Sequence, residues 1–472
     1  MSAAAALAPL VVAVPLLAAA LVAALGPRLG RRGQDAVALA ATAFSTGGAA
    51  LLARGTAGGA VEVWLGGWAP AGDVAVGIAL RVDPVGAGFA ALSGVLTLAA
   101  LTFAVRWFDA AEGHFHALVL AFLAALCGFG LTGDLFDLFV FFELMSVAAY
   151  ALAGYKSEDP GSLEGALHFA VVNSAGACLV LLGIAILYGA TGTLDLVRLG
   201  RAVPAAPPGA VRAAFALLAC GFLVKGAAVP FHFWLADAHA VAPTPACVLF
   251  SGAMVPAGLY AVARLGATAF AGFVPRGAAG PGAALVALGA LSAAVGAALC
   301  FAQRHLKRLL AFSTVSHAGV MLAAVGLGTP AGLGGAARYA VAHGLVKGAL
   351  FLGAGLVLHR LRSVDEIALR GRGRGLALPF LVLGVGGLAL AGLPPFATFR
   401  AEGLVHDAFE EAGLGALSHL FAAASAVTGA AVVRAALRIF AGLGPRRPEA
   451  PEVGGEATEP AETWRSRAAA PA

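Results

Sequence analysis

Apolar residues run for about twenty positions at a time along most of the chain, and polar residues gather in short breaks between the runs. A bilayer crossing needs about 20 apolar residues in helical form. The pattern predicts spans near residues 3–26, 36–54, 83–106, 115–132, 134–153, 164–188, 212–236, 243–264, 279–301, 308–328, 335–359, 376–412 and 416–441. The fold class expected is therefore an all-α polytopic membrane protein of about 13 transmembrane helices. Two runs are interrupted. The seventh contains VPFHFW (Val229–Trp234), and the twelfth, too long for a plain crossing, contains GLPPF (Gly392–Phe396). Proline removes a backbone donor and clashes one turn back, so both runs predict broken helices.

The two breaks echo each other. VPFHFWLAD (Val229–Asp237) and PPFATFRAE (Pro394–Glu402) share Pro-Phe followed, at equal spacing, by Ala and an acid. One reading is chance. The other is an internal repeat of spans 4–8 and 9–13, and an odd number of spans inverts the second copy relative to the first. Inverted repeats with discontinuous helices are a hallmark of ion-coupled transporters. The expected organisation is a three-helix N-terminal segment (1–106), a first repeat (114–265), a second repeat (279–441) and a disordered tail (442–472) rich in Pro, Glu and Ala.

Composition supports the membrane reading. Of 472 residues 60% are hydrophobic and 12% charged, against roughly 25% charged in soluble domains. The 64 glycines, with many alanines, suit close helix packing. Five cysteines (Cys127, Cys178, Cys220, Cys247, Cys300) stand singly in apolar runs with no CxxC, which speaks against iron–sulfur, zinc and disulfide roles. No metal-ligand spacing or cofactor motif is visible, and RGRGRG (Arg370–Gly375) follows no strand, so it is not a dinucleotide site. The net charge of +5 calls for no nucleic-acid partner, because the arginines sit between spans. Alternate loops carry Arg28, Arg31 and Arg32; Arg106; Lys156; Arg304, Lys307 and Arg308; Arg360 to Arg374; and Arg446 with Arg447. The opposite set, such as Arg198, Arg201 and Arg276, is weaker. The positive-inside rule then places the N-terminus outside and the C-terminus in the cytoplasm of a cell inner (plasma) membrane. The N-terminus lacks a basic leader region and reads as an uncleaved first span.

Against this apolar background the charges stand out. The sequence has four lysines, and two of them occur in the same pentapeptide, LVKGA, at Leu223–Ala227 and Leu345–Ala349. Lys225 and Lys347 thus lie mid-span, as does Glu143, while Glu402 follows the second break. His232, His239, His317 and His343 add to the set. Ionisable groups in a bilayer are costly and by default functional. The bland alternatives are a buried Lys–Glu pair that fixes helix register, and histidines that serve as interhelical hydrogen-bond partners, the simpler reading for His168 and His419. Asp134 reads as interfacial, and Arg400 as a snorkelling side chain or a partner of Glu402. The sharper reading uses proton affinity. Desolvation lowers a lysine's pKa and a carboxylate raises it, so a lysine with a movable partner takes up and releases protons. Histidine relays between such sites, and a broken helix admits water. Glu, Lys, His, Lys, Glu over several helices is the composition of a lateral proton wire, with no catalytic triad in sight.

Five segments carry a resemblance. FFELMSVAAYALAGYK (Phe141–Lys156), LVKGAAVPFHFWLADAHAVAPTPACVLFSG (Leu223–Gly252), HLKRLLAFSTVSHAGVM (His305–Met321), HGLVKGALFLGAG (His343–Gly355) and LAGLPPFATFRAEGLV (Leu390–Val405) resemble the antiporter-like membrane subunits of respiratory complex I (NADH-quinone oxidoreductase), Mrp antiporters and formate hydrogenlyase. The resemblance covers roughly residues 80–440. It implies proton translocation through Glu143, Lys225, His317, Lys347 and Glu402, with His232, His239 and His343 as secondary relays. It implies no cofactor in this chain, redox chemistry in peripheral partner subunits, and other membrane subunits as direct partners. A Mrp-type cation/proton antiporter subunit carrying sodium, and a transport-inactive structural paralogue, are the alternatives. Two departures matter: SGAMVPAGLY (Ser251–Tyr260) places Pro256 where many relatives have a lysine, and most relatives have a fourteenth helix.

Overall fold

A computed structural model describes residues 3–70, 75, 77–107, 113–273 and 279–444. Residues 445–472 of the expected tail, and Arg276, lie outside the described residues. Eleven helices among those described are long and apolar enough to cross a membrane, and the chain is a multi-pass membrane protein. The difference from thirteen arises at two places. Residues 3–26 and 36–54 join into α1 (Ala3–Gly55), bent at Gly30 with φ 61° and ψ 170°. Its halves pack side by side, with Ser45 Oγ donating to the Val11 carbonyl at 3.0 Å. At the other place the twelfth run is divided at its prolines into two helices of 14 and 15 residues.

After α1, a hairpin of β1 (Val61–Trp64) and β2 (Ala79–Val82) pairs antiparallel with Val61 opposite Val82. The apolar pattern predicts no span in that stretch. Then come α2 (Pro84–Trp107) and α3 (Gly113–Leu131). α4 (Leu135–Ala153) starts on Asp134, whose carboxylate accepts from the Phe136 and Asp137 amides. α5 (Pro160–Thr191) and the short α6 (Leu196–Ala202) follow. α7 (Pro208–Lys225) ends at the first break, beyond which lies α8 (Phe233–Val241). α9 (Thr244–Leu249) and α10 (Val255–Ala267) are joined by a π-helical turn at Phe250–Met254. Pro256 explains that turn: it cannot donate to the Gly252 carbonyl, and the wider turn absorbs its ring.

α11 (Pro281–Ala302), α12 (Leu306–Gly326) and α13 (Pro330–Leu361) lead to the second break, which separates α14 (Ala377–Leu390) from α15 (Ala397–Glu411); α16 (Gly415–Ala436) ends in a π turn. Some features recur around the two breaks. α5 and α13 are each 32 residues long, and isolated bridges Asp134–Asp195 and His305–Asp365 precede α4 and α12. Both breaks carry a cis peptide bond, Val229–Pro230 and Pro394–Pro395.

α12 is the central helix, buried at every position but Arg308 and Phe312. It packs on α11 backbone to backbone. A Cβ on Gly319 would lie 2.4 Å from the Ala293 amide nitrogen, and one on Gly296 would lie 2.4 Å from that of Ser316. Gly319→Val is therefore expected to destabilise the solubilised protein by roughly 1–3 kcal/mol through overpacking, read as a lowered Tm. A half-buried helical glycine with open space, Gly403, should tolerate alanine with no such loss.

Candidate functional site

The first break supplies the first site. α7 stops at Lys225, so the ammonium lies on the last turn, where the helix dipole favours a cation. The chain then turns through Ala227 at φ 48°. The freed backbone is satisfied from outside: Trp234 Nε1 donates to the Val224 carbonyl at 3.0 Å, and the Val229 amide donates to Ser292 Oγ on α11 at 2.9 Å. The Lys225 side chain is fully buried. It donates to Ser146 Oγ at 2.7 Å and lies 4.7 Å above the Phe142 ring, with Tyr150 and Phe169 at 5.7 Å. Those ring faces offset part of the loss of water around the ammonium. Glu143 shares α4 with Ser146 and lies within Coulombic reach of Lys225, yet its Oε1 has no hydrogen-bond partner. Carboxylate and ammonium are therefore neighbours without a direct bond, which leaves their separation adjustable.

The second half holds a longer chain of contacts. Lys347 on α13, also fully buried, donates to the Leu310 carbonyl of α12 at 2.8 Å and to Ser313 Oγ. One turn before it, His343 approaches His317 of α12 with ring centroids 5.4 Å apart. His317 bonds Tyr339 Oη through Nδ1 at 2.7 Å and Thr428 Oγ1 through Nε2 at 2.9 Å. Thr428 Oγ1 donates to the Ser425 carbonyl at 2.9 Å, and Ser425 Oγ donates to Glu402 Oε1 at 2.9 Å. His406 Nε2 lies 3.7 Å from the same carboxylate oxygen. Glu402 is 5% exposed, and Arg400 points outward, away from any pairing with it.

Between the halves stand His239 and the π turn. His239 on α8 is buried, stacks on Phe351 at 4.6 Å and has no partner on either ring nitrogen. It lies within electrostatic range of both Lys347 and Lys307. Beside Pro256 the π turn presents Ser251 Oγ, 2.5 Å from Thr314 Oγ1. Thr314 donates in turn to the Leu310 carbonyl at 3.0 Å, the same oxygen that Lys347 uses. His232 lies on the first break, buried against Phe233 at 4.7 Å with Nδ1 unpartnered. His343 likewise has neither ring nitrogen hydrogen-bonded. The arrangement thus strings titratable and hydroxyl groups through an apolar bundle, which is what proton transfer by short steps requires.

Sequence reasoning missed the hydroxyl groups that link these residues: Ser146, Thr314, Ser313, Tyr339, Thr428 and Ser425. Their only signal is a polar residue within an apolar run. It also read Lys307 as a loop charge. Lys307 is instead fully buried and donates to the Ala242 carbonyl, which ends α8, at 2.9 Å. Its neighbour Arg308 turns outward to Asp237 at 3.2 Å, and His168 lies 3.9 Å from that carboxylate. His305, which caps α12, is held neutral: burial, then the Lys307 and Arg308 charges, lower its pKa to about 3.

The comparisons fit this geometry. Residues 132–428 match the protein-family profile described as NADH:quinone oxidoreductase/Mrp antiporter, TM. The chain is 33% identical over 379 residues to NADH-quinone oxidoreductase subunit N of Desulforudis audaxviator (strain MP104C), covering 78% of this chain and 73% of that one. Two solved structures superpose with a TM-score of 0.84. One is a chain of the membrane-bound sulfane sulfur reductase, an archaeal respiratory membrane complex, at 27% identity over 94% of this chain and 90% of that chain. The other is a chain of the Mrp complex from Dietzia sp. DQ12-45-1b, at 29% identity over 99% and 85% respectively.

Proposed function

Since the chain belongs to the NADH:quinone oxidoreductase/Mrp antiporter membrane family, we propose that it is the proton-translocating membrane subunit of a complex I-like quinone oxidoreductase or membrane-bound hydrogenase assembly. The observation that carries this reading is the run of neighbouring groups from Lys347 past His343 to His317, and from there through hydrogen bonds of Thr428 and Ser425 to Glu402. A change in partner subunits shifts Glu143 relative to Lys225 and so changes the proton affinity of the lysine. The proton passes by His239 and the Ser251–Thr314 pair to Lys347, around Pro256, and leaves near Glu402. His232 and His343 serve as secondary relays. Partners are other membrane subunits and, through them, peripheral redox subunits. The chain sits in the inner membrane with its N-terminus outside, the orientation that the arginine-rich loops favour.

The near-complete overlap with a Mrp chain favours a second reading, a monovalent cation/proton antiporter subunit. One experiment separates them. The complex is purified through a tag on this chain, its subunits are identified by mass, and it is reconstituted in vesicles. Proton uptake driven by an electron donor supports the first reading. Uptake driven only by a sodium or potassium gradient replaces it with the second.

The crossing point gives a further expected result. His239→Phe keeps the ring stack on Phe351 but removes the titratable group beside Lys347 and Lys307. Proton flux should fall by at least the roughly 10²-fold that a general acid–base group commonly contributes, with assembly intact on native gels.

A further inference from the structure

A second polar cluster stands apart from the relay, at the end of the bundle where α11 and α16 terminate. There a cavity of about 230 Å³ is lined by Phe301, Arg304, Glu366, Arg370, Arg434 and Arg438, among others. Arg434 donates to the carbonyls of Phe301 at 2.6 Å and Gln303 at 2.8 Å and pairs with Glu366 at 3.2 Å. Arg438 pairs with the same Glu366 oxygen. Arg304 pairs with Asp365 at 3.1 Å, and Arg370 donates to the Gly444 carbonyl at 3.0 Å. Four guanidinium groups therefore face two carboxylates, an excess of two positive charges. Burial raises the Glu366 pKa against the opposing Arg434 and Arg438 charges. Arg434 Nε and Glu366 Oε2 are buried without hydrogen-bond partners, so the cluster is not self-sufficient.

The lining is also amphipathic. Phe301 is 51% exposed on the outer surface of α11, and the Arg434 guanidinium lies 4.8 Å above its ring. A soluble anion would need only the charges. A site that joins arginines to an exposed aromatic ring at the end of membrane helices suits a molecule with a charged head and an apolar tail. We infer that this cavity holds the phosphate headgroup of an anionic phospholipid, of the phosphatidylglycerol or cardiolipin class, with its acyl chains beside Phe301. This inference rests on the membrane fold and is independent of the transport reading.

The test uses the full chain in its purified complex. Native mass spectrometry and a titration in nanodiscs compare phosphatidylglycerol with phosphatidylcholine, and inorganic phosphate is offered in solution as competitor. Preferential binding of phosphatidylglycerol is expected. Arg370→Gln and Arg438→Gln should each weaken it roughly fivefold, the share of one basic residue near an anionic headgroup, and a variant carrying both should lose about 25-fold. Arg438→Lys should retain most of the affinity. Arg212→Gln, exposed on α7, should change nothing. Equal binding of both lipids, unchanged binding in the double variant, or displacement by inorganic phosphate at matched concentration would each overturn the inference. So would anionic lipid binding that appears only after residues 445–472 are removed, because the acidic stretch of that segment would then be the resident anion. If Arg438→Gln disturbs folding through Glu366, Arg370→Gln, at a half-buried position, carries the test alone.

Discussion

Lys225→Met abolishes the proton translocation carried by this chain and leaves the folded protein at least as stable as the wild type. The side chains are similar in length, so methionine fills the pocket formed by Phe142, Tyr150 and Phe169. The substitution removes an ammonium whose one hydrogen bond is to Ser146. Removing one member of a buried ion pair is costly where the remaining charge is left buried and uncompensated, a condition that Glu143 does not meet. Glu143 tolerates the loss because it is only half-buried and makes no direct bond to the lysine. The checks are Tm by scanning fluorimetry and proton uptake by vesicles at matched assembly. A transport-dead protein with an unchanged or raised Tm separates function from register-fixing. A lowered Tm with normal uptake would assign Lys225 a structural task.

Glu402→Gln is the second large effect. Glutamine keeps the oxygen that accepts from Ser425 Oγ, so stability should move by no more than about 1 kcal/mol, the range of one neutral hydrogen bond. The group that loads and releases the proton at the end of the chain is gone, and flux should fall at least tenfold. Gly392 turns at φ 68° directly against this side chain, and a Cβ there would lie 2.3 Å from a Glu402 oxygen. Gly392→Ala should therefore lower flux as well, by pushing Glu402 off Ser425, whereas alanine at the open Gly403 should not.

The element pattern was largely legible because a bilayer leaves the backbone few choices. An apolar run must close its own hydrogen bonds, so length and prolines alone locate helices and breaks. The bend at Gly30 was not separable from a loop, since Arg and Leu on either side continue a helix as readily as they end one. Lys307 shows a sharper limit. Successive helical residues point about 100° apart, so Arg308 reaches Asp237 outside while Lys307 enters the core, and loop charge counts cannot tell them apart. The serines and threonines of the relay were illegible for a related reason. Such residues commonly bond their own preceding turn in membrane helices, as Thr314 does with Leu310. Only the fold brings Thr428 to His317 across 111 positions. The two LVKGA copies proved dissimilar in surroundings: Lys225 ends a helix among aromatic rings, and Lys347 sits within one against a carbonyl and a hydroxyl. Their common feature is an adjacent glycine, packed on Leu259 after Lys225 and on Leu96 after Lys347.

The most direct test of the central claim is the number of protons translocated per turnover by the reconstituted complex carrying Lys347→Met. Partner subunits keep their own share, so the account predicts a fixed loss per turnover, with the same loss for Lys225→Met and no further loss when both are combined, because the two lysines serve one path. An unchanged number in the intact complex, or losses that add in the double variant, would contradict a single relay through this chain.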